Sequence, residues 1–236
     1  MRHYLVVDDN RAFAENLSEI VHDLGDEVTV AEDGAAAMAI AREHRFDAVV
    51  TDMRMPFMGG AELVHHLRRI DPGLSAIVVT AYVRDGDLEA ARREGLLATL
   101  PKPVPIPRLL ELLRAARRDG LVVVVEDDTA LCDNLCEALR GRGFADVTAA
   151  TVLETERLGP IRPFCAVVDL RIPGGPDGTA MRRLLEKYPG LPILIETGHA
   201  LEPTHPAVAV FQKPFDTAAL LDEVDRQHAA QGGSAA

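Results

Sequence analysis

The chain has 236 residues, a length that suits two domains each burying a core of its own. It carries 37 acidic against 25 basic side chains, 20 against 15 up to residue 119 and 17 against 10 beyond it. Both halves are therefore acidic, which excludes a nucleic-acid surface. The longest apolar run, residues 35–41, is far too short for a membrane span, and three cysteines without framework spacing suit a reducing cytoplasm.

In chain order, the first half (residues 1–119) alternates strand-like and helical patterns. An apolar strand at 4–7 leaves no room for a signal peptide. Phe13, Leu17, Ile20, Val21 and Leu24 then repeat at helical spacing, with Asn10 as N-cap and Gly25 as stop. Strands at 27–31, 48–51, 76–80 and 96–100 are separated by helices at 33–44, 60–70 and 85–94, and a helix at 106–118 closes the half. The second half (120–236) repeats the plan, with strands at 121–125, 147–149, 164–168, 192–196 and 207–211. Pro160 and Pro163 shorten its second helix, and Pro203 and Pro206 leave its fourth helix reduced or missing. The tail from about residue 230 is rich in Ala, Gly and Ser and is expected to fray. Strands apolar on both faces, each followed by a helix, predict two α/β domains with doubly wound five-stranded parallel sheets.

One set of side chains occurs twice at the strand ends. The first copy is Asp8-Asp9, Asp52, Thr80 and Lys102-Pro103; the second is Glu126-Asp127, Asp169, Thr197 and Lys213-Pro214. The central Asp and the Thr recur after 117 positions and the Lys after 111, so the second copy has lost about six residues between Thr and Lys. Lysine itself is rare: there are 22 Arg and three Lys, and two of the three stand in these Lys-Pro pairs. A compact ammonium suits a single phosphoryl or carboxylate oxygen better than a planar guanidinium does.

Ligands of an open parallel sheet bind outside the carboxyl ends of its strands, where these residues fall. Three clustered carboxylates repel one another, and an all-oxygen set without thiolate or imidazole favours Mg²⁺. With a phosphoryl ligand, Asp9 and Asp52 hold the metal and Asp8 positions one of its waters. Asp52 is the nucleophile, and Thr80 and Lys102 each bind a phosphoryl oxygen. Asp8-Asp9 alone could equally cap a helix; in company with Asp52 and Lys102 the chemical reading dominates.

The signatures V-V-D-D (6–9), T-D-M-R-M-P (51–56), V-T-A (79–81) and P-K-P (101–103) resemble those of receiver domains of two-component response regulators, and the resemblance covers nearly the whole chain. It implies the flavodoxin-like strand order 2-1-3-4-5, and phosphoryl transfer from a phosphohistidine on a sensor histidine kinase or phosphotransfer protein to Asp52. It also implies Mg²⁺ bound with the carbonyl of Arg54, and a cis Lys102-Pro103 bond. Asp127, Asp169, Arg171, Thr197 and Lys213 carry over in the second half, with Glu126 replacing the first Asp. The aromatic switch residue usual in receivers is replaced by Thr99 and Val210, and Glu196 places a carboxylate where a buried strand residue is expected.

Other residues have plainer readings. Lys187 reads as a solvated helix residue, Cys132 and Cys136 as small buried groups, and His65-His66 as an exposed helix face. Tyr82 and His199 flank the pockets, with tuning of acyl-phosphate hydrolysis and a loop-surface role equally open. The leading function is a stand-alone tandem receiver with no output domain, a phosphoacceptor and not an enzyme. It would act by phosphorylation-dependent protein binding or as a relay or sink, with no nucleic-acid or membrane partner and room for a homodimer through the first domain. The alternative is a receiver-fold scaffold independent of phosphorylation, at least in the second half. No Gly-Lys dipeptide, and hence no P-loop, is present.

Overall fold

A computed structural model describes residues 1–81, 96–198 and 207–232. The chain divides into two compact units, Met1–Arg118 with Arg142–Ala145, and Asp119–Gly141 with the chain from Asp146 onward. The helix expected at 85–94, most of the shortened stretch after Thr197, and Tyr82 and His199 lie outside the described residues.

In the first unit the elements run β1 (His3–Val7), α1 (Arg11–Asp23), β2 (Glu27–Ala31), α2 (Gly34–Glu43), β3 (Ala48–Asp52), α3 (Gly60–Ile70), β4 (Ser75–Thr80), β5 (Ala98–Pro101) and α4 (Ile106–Ala115). The sheet order is β2-β1-β3-β4-β5, and its four strand pairings are parallel. Side chains alternate across it. Leu5, Val7, Val49 and Val78 pack on one face with Leu63 and Leu67 of α3, while Tyr4, Val6, Ile77 and Val79 pack on the other with Leu17 and Val21 of α1 and Leu109 and Leu113 of α4. Burial on both faces explains the unbroken apolar runs of these strands.

Local signals set the helix ends. The Asn10 side chain accepts from the Phe13 N–H and caps α1, and Gly25, at φ 86°, closes it through a hydrogen bond from its N–H to the His22 carbonyl. Helix α3 starts against the sheet at closest range: a Cβ added to Gly60 would lie 2.3 Å from the Asp52 carbonyl oxygen, so only glycine fits.

The second unit comprises β6 (Leu121–Val125), α5 (Thr129–Gly141), β7 (Ala145–Ala149), α6 (Val152–Arg157), β8 (Cys165–Asp169), α7 (Thr179–Lys187), β9 (Ile193–Thr197), β10 (Ala209–Gln212) and α8 (Thr217–Gly232). Its sheet order, β7-β6-β8-β9-β10, repeats that of the first unit. Helix α6 has six residues where α2 has ten, as the two prolines lead one to expect. Helix α8 reaches Gly232, past the start of the expected frayed tail, and Gln231 donates to the Phe164 carbonyl at 2.7 Å.

Lys187 is not simply solvated. Its ammonium donates to the carbonyls of Glu156 (2.9 Å) and Leu158 at the C-terminal end of α6. A cation there complements the helix dipole and satisfies carbonyls left without intrahelical partners.

Candidate functional site

The acidic residues lie where apolar strands give out. Asp8 follows β1 and is buried, and Asp9 beside it is exposed. Asp8 Oδ1 accepts from the Asn10 N–H at 2.8 Å, so the turn into α1 fixes the carboxylate. Asp52 ends β3, and its Oδ1 accepts from the Arg54 N–H at 3.4 Å. Thr80 ends β4, buried, and its carbonyl accepts from the Lys102 N–H at 2.8 Å. That bond ties the Lys-bearing loop to the sheet edge.

Lys102 joins these parts. Its Nζ donates to Asp8 Oδ2 at 3.0 Å and Asp52 Oδ2 at 2.9 Å, and lies 5.5 Å from the centre of the Phe13 ring. Burial by itself lowers the pKa of this ammonium, but its bonds to Asp52 and then Asp8 outweigh burial and raise it. Oxygens of Asp8, Asp9 and Asp52 lie within 4.8 Å of one another. Such a hard oxygen set, with one ammonium offsetting only part of its charge, fits a magnesium ion.

The second unit builds the same arrangement with a longer first acid. Glu126 Oε1 accepts from the Asp128 N–H at 2.8 Å, and Asp169 Oδ1 accepts from the Arg171 N–H at 2.8 Å. Lys213 Nζ donates to Glu126 Oε2 at 2.6 Å and Asp169 Oδ2 at 2.7 Å, while its N–H donates to the Thr197 carbonyl at 2.8 Å. Burial lowers the Lys213 pKa and the bonds to Asp169 and Glu126 outweigh it, so the net shift is upward. Glu126, Asp127 and Asp169 also bring oxygens within 4.8 Å of one another. The Arg171 Nε donates to Asp177 Oδ2 at 3.0 Å. Both Lys-Pro bonds, Lys102-Pro103 and Lys213-Pro214, are cis.

Glu196 distinguishes the two sites. It lies opposite Asp169 in the β8–β9 register, where the first unit sets Val79 opposite Asp52. It is fully buried, and neither carboxylate oxygen has a hydrogen-bond partner. Burial pushes its pKa up to about 8; Lys213 opposes that shift, and the neighbouring Glu126 and Asp169 add to it. Sequence flagged the residue, but the row of carboxyl groups needed the strand register.

The remaining candidates fall elsewhere. Thr99 pairs in register with Val78 and Val210 with Ile195. Cys132 and Cys136 are buried on α5; their mutual hydrogen bond and then burial raise the Cys136 pKa, and burial raises that of Cys165. On α3, His65 is exposed and His66 half-buried, with His66 facing Glu62 at 3.9 Å. Phe57 escaped the sequence reading: a bulky residue with φ 67° in the loop after Asp52, its side chain wholly exposed. The available signal was that the second copy has Gly174 at the matching place.

No helix among the described residues is long and apolar enough to cross a membrane. Residues 4–114 match the response regulator receiver domain family. A response regulator receiver protein of Anaeromyxobacter sp. (strain Fw109-5) is 68% identical over 232 residues, covering 98% of each chain. Response regulator MprA of Mycobacterium ulcerans (strain Agy99) is 30% identical over 84% of this chain and 83% of its own. Among solved structures, the receiver domain of a sensor histidine kinase from Pseudomonas aeruginosa PAO1 has a magnesium ion coordinated in its active-site cleft. It is 28% identical over 48% of this chain and 94% of its own, with a TM-score of 0.45. Near-full-length identity of 68% to a receiver protein places this chain in the response regulator receiver family, and its two five-stranded parallel sheets fit two receiver domains.

Proposed function

We propose that this response regulator accepts a phosphoryl group on Asp52, and on Asp169 in the second unit, from a phosphohistidine of a sensor histidine kinase or phosphotransfer protein. The observation that carries this reading is the Lys102 ammonium held between Asp8 and Asp52 at 3.0 and 2.9 Å, repeated by Lys213 between Glu126 and Asp169. An ammonium bridging two carboxylates at a sheet edge stands ready to move onto a phosphoryl oxygen as negative charge arrives.

The residues divide the work. Asp52 attacks phosphorus, so a bond forms between its carboxylate oxygen and phosphorus as the phosphorus–nitrogen bond to the donor imidazole breaks, and the electron pair leaves with that nitrogen. Thr80 donates its hydroxyl hydrogen to one phosphoryl oxygen and Lys102 binds another. Asp9 and Asp52 would hold a magnesium ion, with Asp8 ordering its hydration, and Asp127, Asp169 and Glu126 would do the same in the second unit. Bound magnesium supplies neutralisation of the charge on the transferring group. The units assist only their own gain and loss of phosphoryl, and act in the cytoplasm through phosphorylation-dependent protein contacts or as a relay or sink.

A second reading, confined to the second unit, is a scaffold that is not phosphorylated. Glu196 favours it, since it sets a third buried acid opposite Asp169 where the first unit has Val79 opposite Asp52, so the two sites are not built alike. Acetyl phosphate with Mg²⁺, followed by intact mass, tests both. One or two phosphoryl adducts are expected, lost singly in Asp52→Asn and Asp169→Asn. An adduct that persists in Asp52→Asn but not in Asp169→Asn would reverse the assignment of the first unit, and no adduct from any donor would leave the scaffold reading for both.

A further inference from the structure

The loop from β3 to α3 is anchored on both sides of one residue that is not. Met55 is buried, with the Thr51 hydroxyl 4.0 Å from its sulfur, and Met58 packs on Gly34, so closely that a Cβ there would meet the Met58 sulfur at 2.7 Å. The Met58 N–H donates to the Pro56 carbonyl and the Gly60 N–H to the Met53 carbonyl. Between these anchors stands Phe57, at φ 67° and with a relative exposure of 105%.

One exposed aromatic ring would carry no inference by itself. Here two further facts bear on it. A bulky side chain at positive φ is strained, and the same chain shows what relieves that strain. At the equivalent place after Arg171-Ile172-Pro173, the second unit has Gly174 at φ 108°. The first unit thus keeps a phenylalanine where backbone geometry favours glycine and where the ring is wholly exposed, packing on nothing among the described residues of its unit. Strain retained without internal compensation points to a role outside the molecule.

The position names the partner. Phe57 lies five residues after Asp52, and the loop is fixed to the acidic cluster through the bond from the Arg54 N–H to Asp52 Oδ1. A protein donor must bring phosphorus within bonding distance of Asp52 and therefore covers this rim, whereas a small donor does not. We infer that Phe57, flanked by exposed Pro56, is the apolar anchor by which the first unit docks the phosphohistidine-bearing protein that charges Asp52, its ring entering an apolar socket beside that histidine. The inference rests on the phosphoacceptor reading given above.

The test compares Phe57→Gly and Phe57→Leu with the wild-type full-length chain. Each is labelled by acetyl phosphate with Mg²⁺, and separately by a panel of autophosphorylated histidine kinase cores. Phe57→Gly is expected to match wild type with acetyl phosphate but to accept phosphoryl from the kinase about tenfold more slowly or worse below saturation. Phe57→Leu, which keeps an apolar side chain, is expected to fall between. Equal kinase rates for wild type and Phe57→Gly would overturn the inference. So would labelling by acetyl phosphate with transfer from no kinase, or loss of a wild-type dimer in Phe57→Gly by light scattering, which would assign the ring to a second copy of this chain. Absence of labelling by any donor would instead remove the phosphoacceptor reading itself.

Discussion

Replacing Glu196 by Gln should stabilise the second unit at neutral pH and hardly at all in mild acid. The carboxyl group is fully buried beside the Glu126 and Asp169 carboxyls, and burial first, then those neighbours, push its pKa up to about 8 against an ordinary 4.5. Between those values the folded unit keeps a proton that the unfolded chain has released. The unfolded state binds fewer protons, so stability falls as pH rises through this window. Each pH unit inside it is worth about 1.4 kcal/mol, so folding at pH 7 loses about 3 kcal/mol relative to acid, where both states are protonated. A neutral amide abolishes that term. Urea unfolding in EDTA, followed at about pH 5 and about pH 7.5, should show wild type losing about 3 kcal/mol more than Glu196→Gln across the interval. Glu196→Val, which restores the residue type of Val79, should flatten the slope as well. Equal slopes in wild type and Glu196→Gln would refute the reasoning, because they would mean that the carboxyl group finds a compensating partner in solution.

Four other outcomes follow from the geometry of the two units. Lys102→Arg keeps the charge, but a planar fork does not replace a point donor between Asp8 Oδ2 and Asp52 Oδ2; labelling of the variant by acetyl phosphate should drop at least about tenfold, read by intact mass. Removing divalent cations with EDTA should abolish labelling at both sites, and Asp9→Asn should raise the Mg²⁺ concentration needed for half-maximal labelling of Asp52, measured by titration. Asp146, buried and held by Arg140 through bonds of 2.7 and 2.8 Å, should cost the second unit about 3 kcal/mol when changed to Ala, because the Arg140 charge is left partly buried without its partner; denaturant midpoints check this.

What could be read from sequence was whatever has a local cause. Strands buried on both faces declare themselves as apolar runs, and the acids, threonines and lysines stand at the ends of those runs in both halves. Asn10 and Gly25 bound α1 through contacts reaching only three residues along the chain. Misplaced boundaries have distant causes. Strand β7 begins at Ala145 and not Val147, because Asp146, a poor strand former, is held there by Arg140. The closing helix of the first half stops at Ala115, where the Arg2 guanidinium, from the start of the chain, donates to the carbonyls of Leu113, Arg114 and Ala116. Lys187 looked solvated because the carbonyls it binds lie about thirty residues earlier. The positive φ of Phe57 had no signature in its own neighbours and emerged only beside Gly174.

The contact of Gly60 with Asp52 has a mechanical consequence. With no room for even a methyl group between the first residue of α3 and the Asp52 carbonyl, β3 and that helix touch backbone to backbone. Side chains absorb small displacements by changing rotamer; two main chains in contact cannot. A displacement of the Asp52 peptide is therefore passed directly to α3, an eleven-residue helix whose far end is Ile70. The Asp52 peptide and the start of the helix are mechanically coupled.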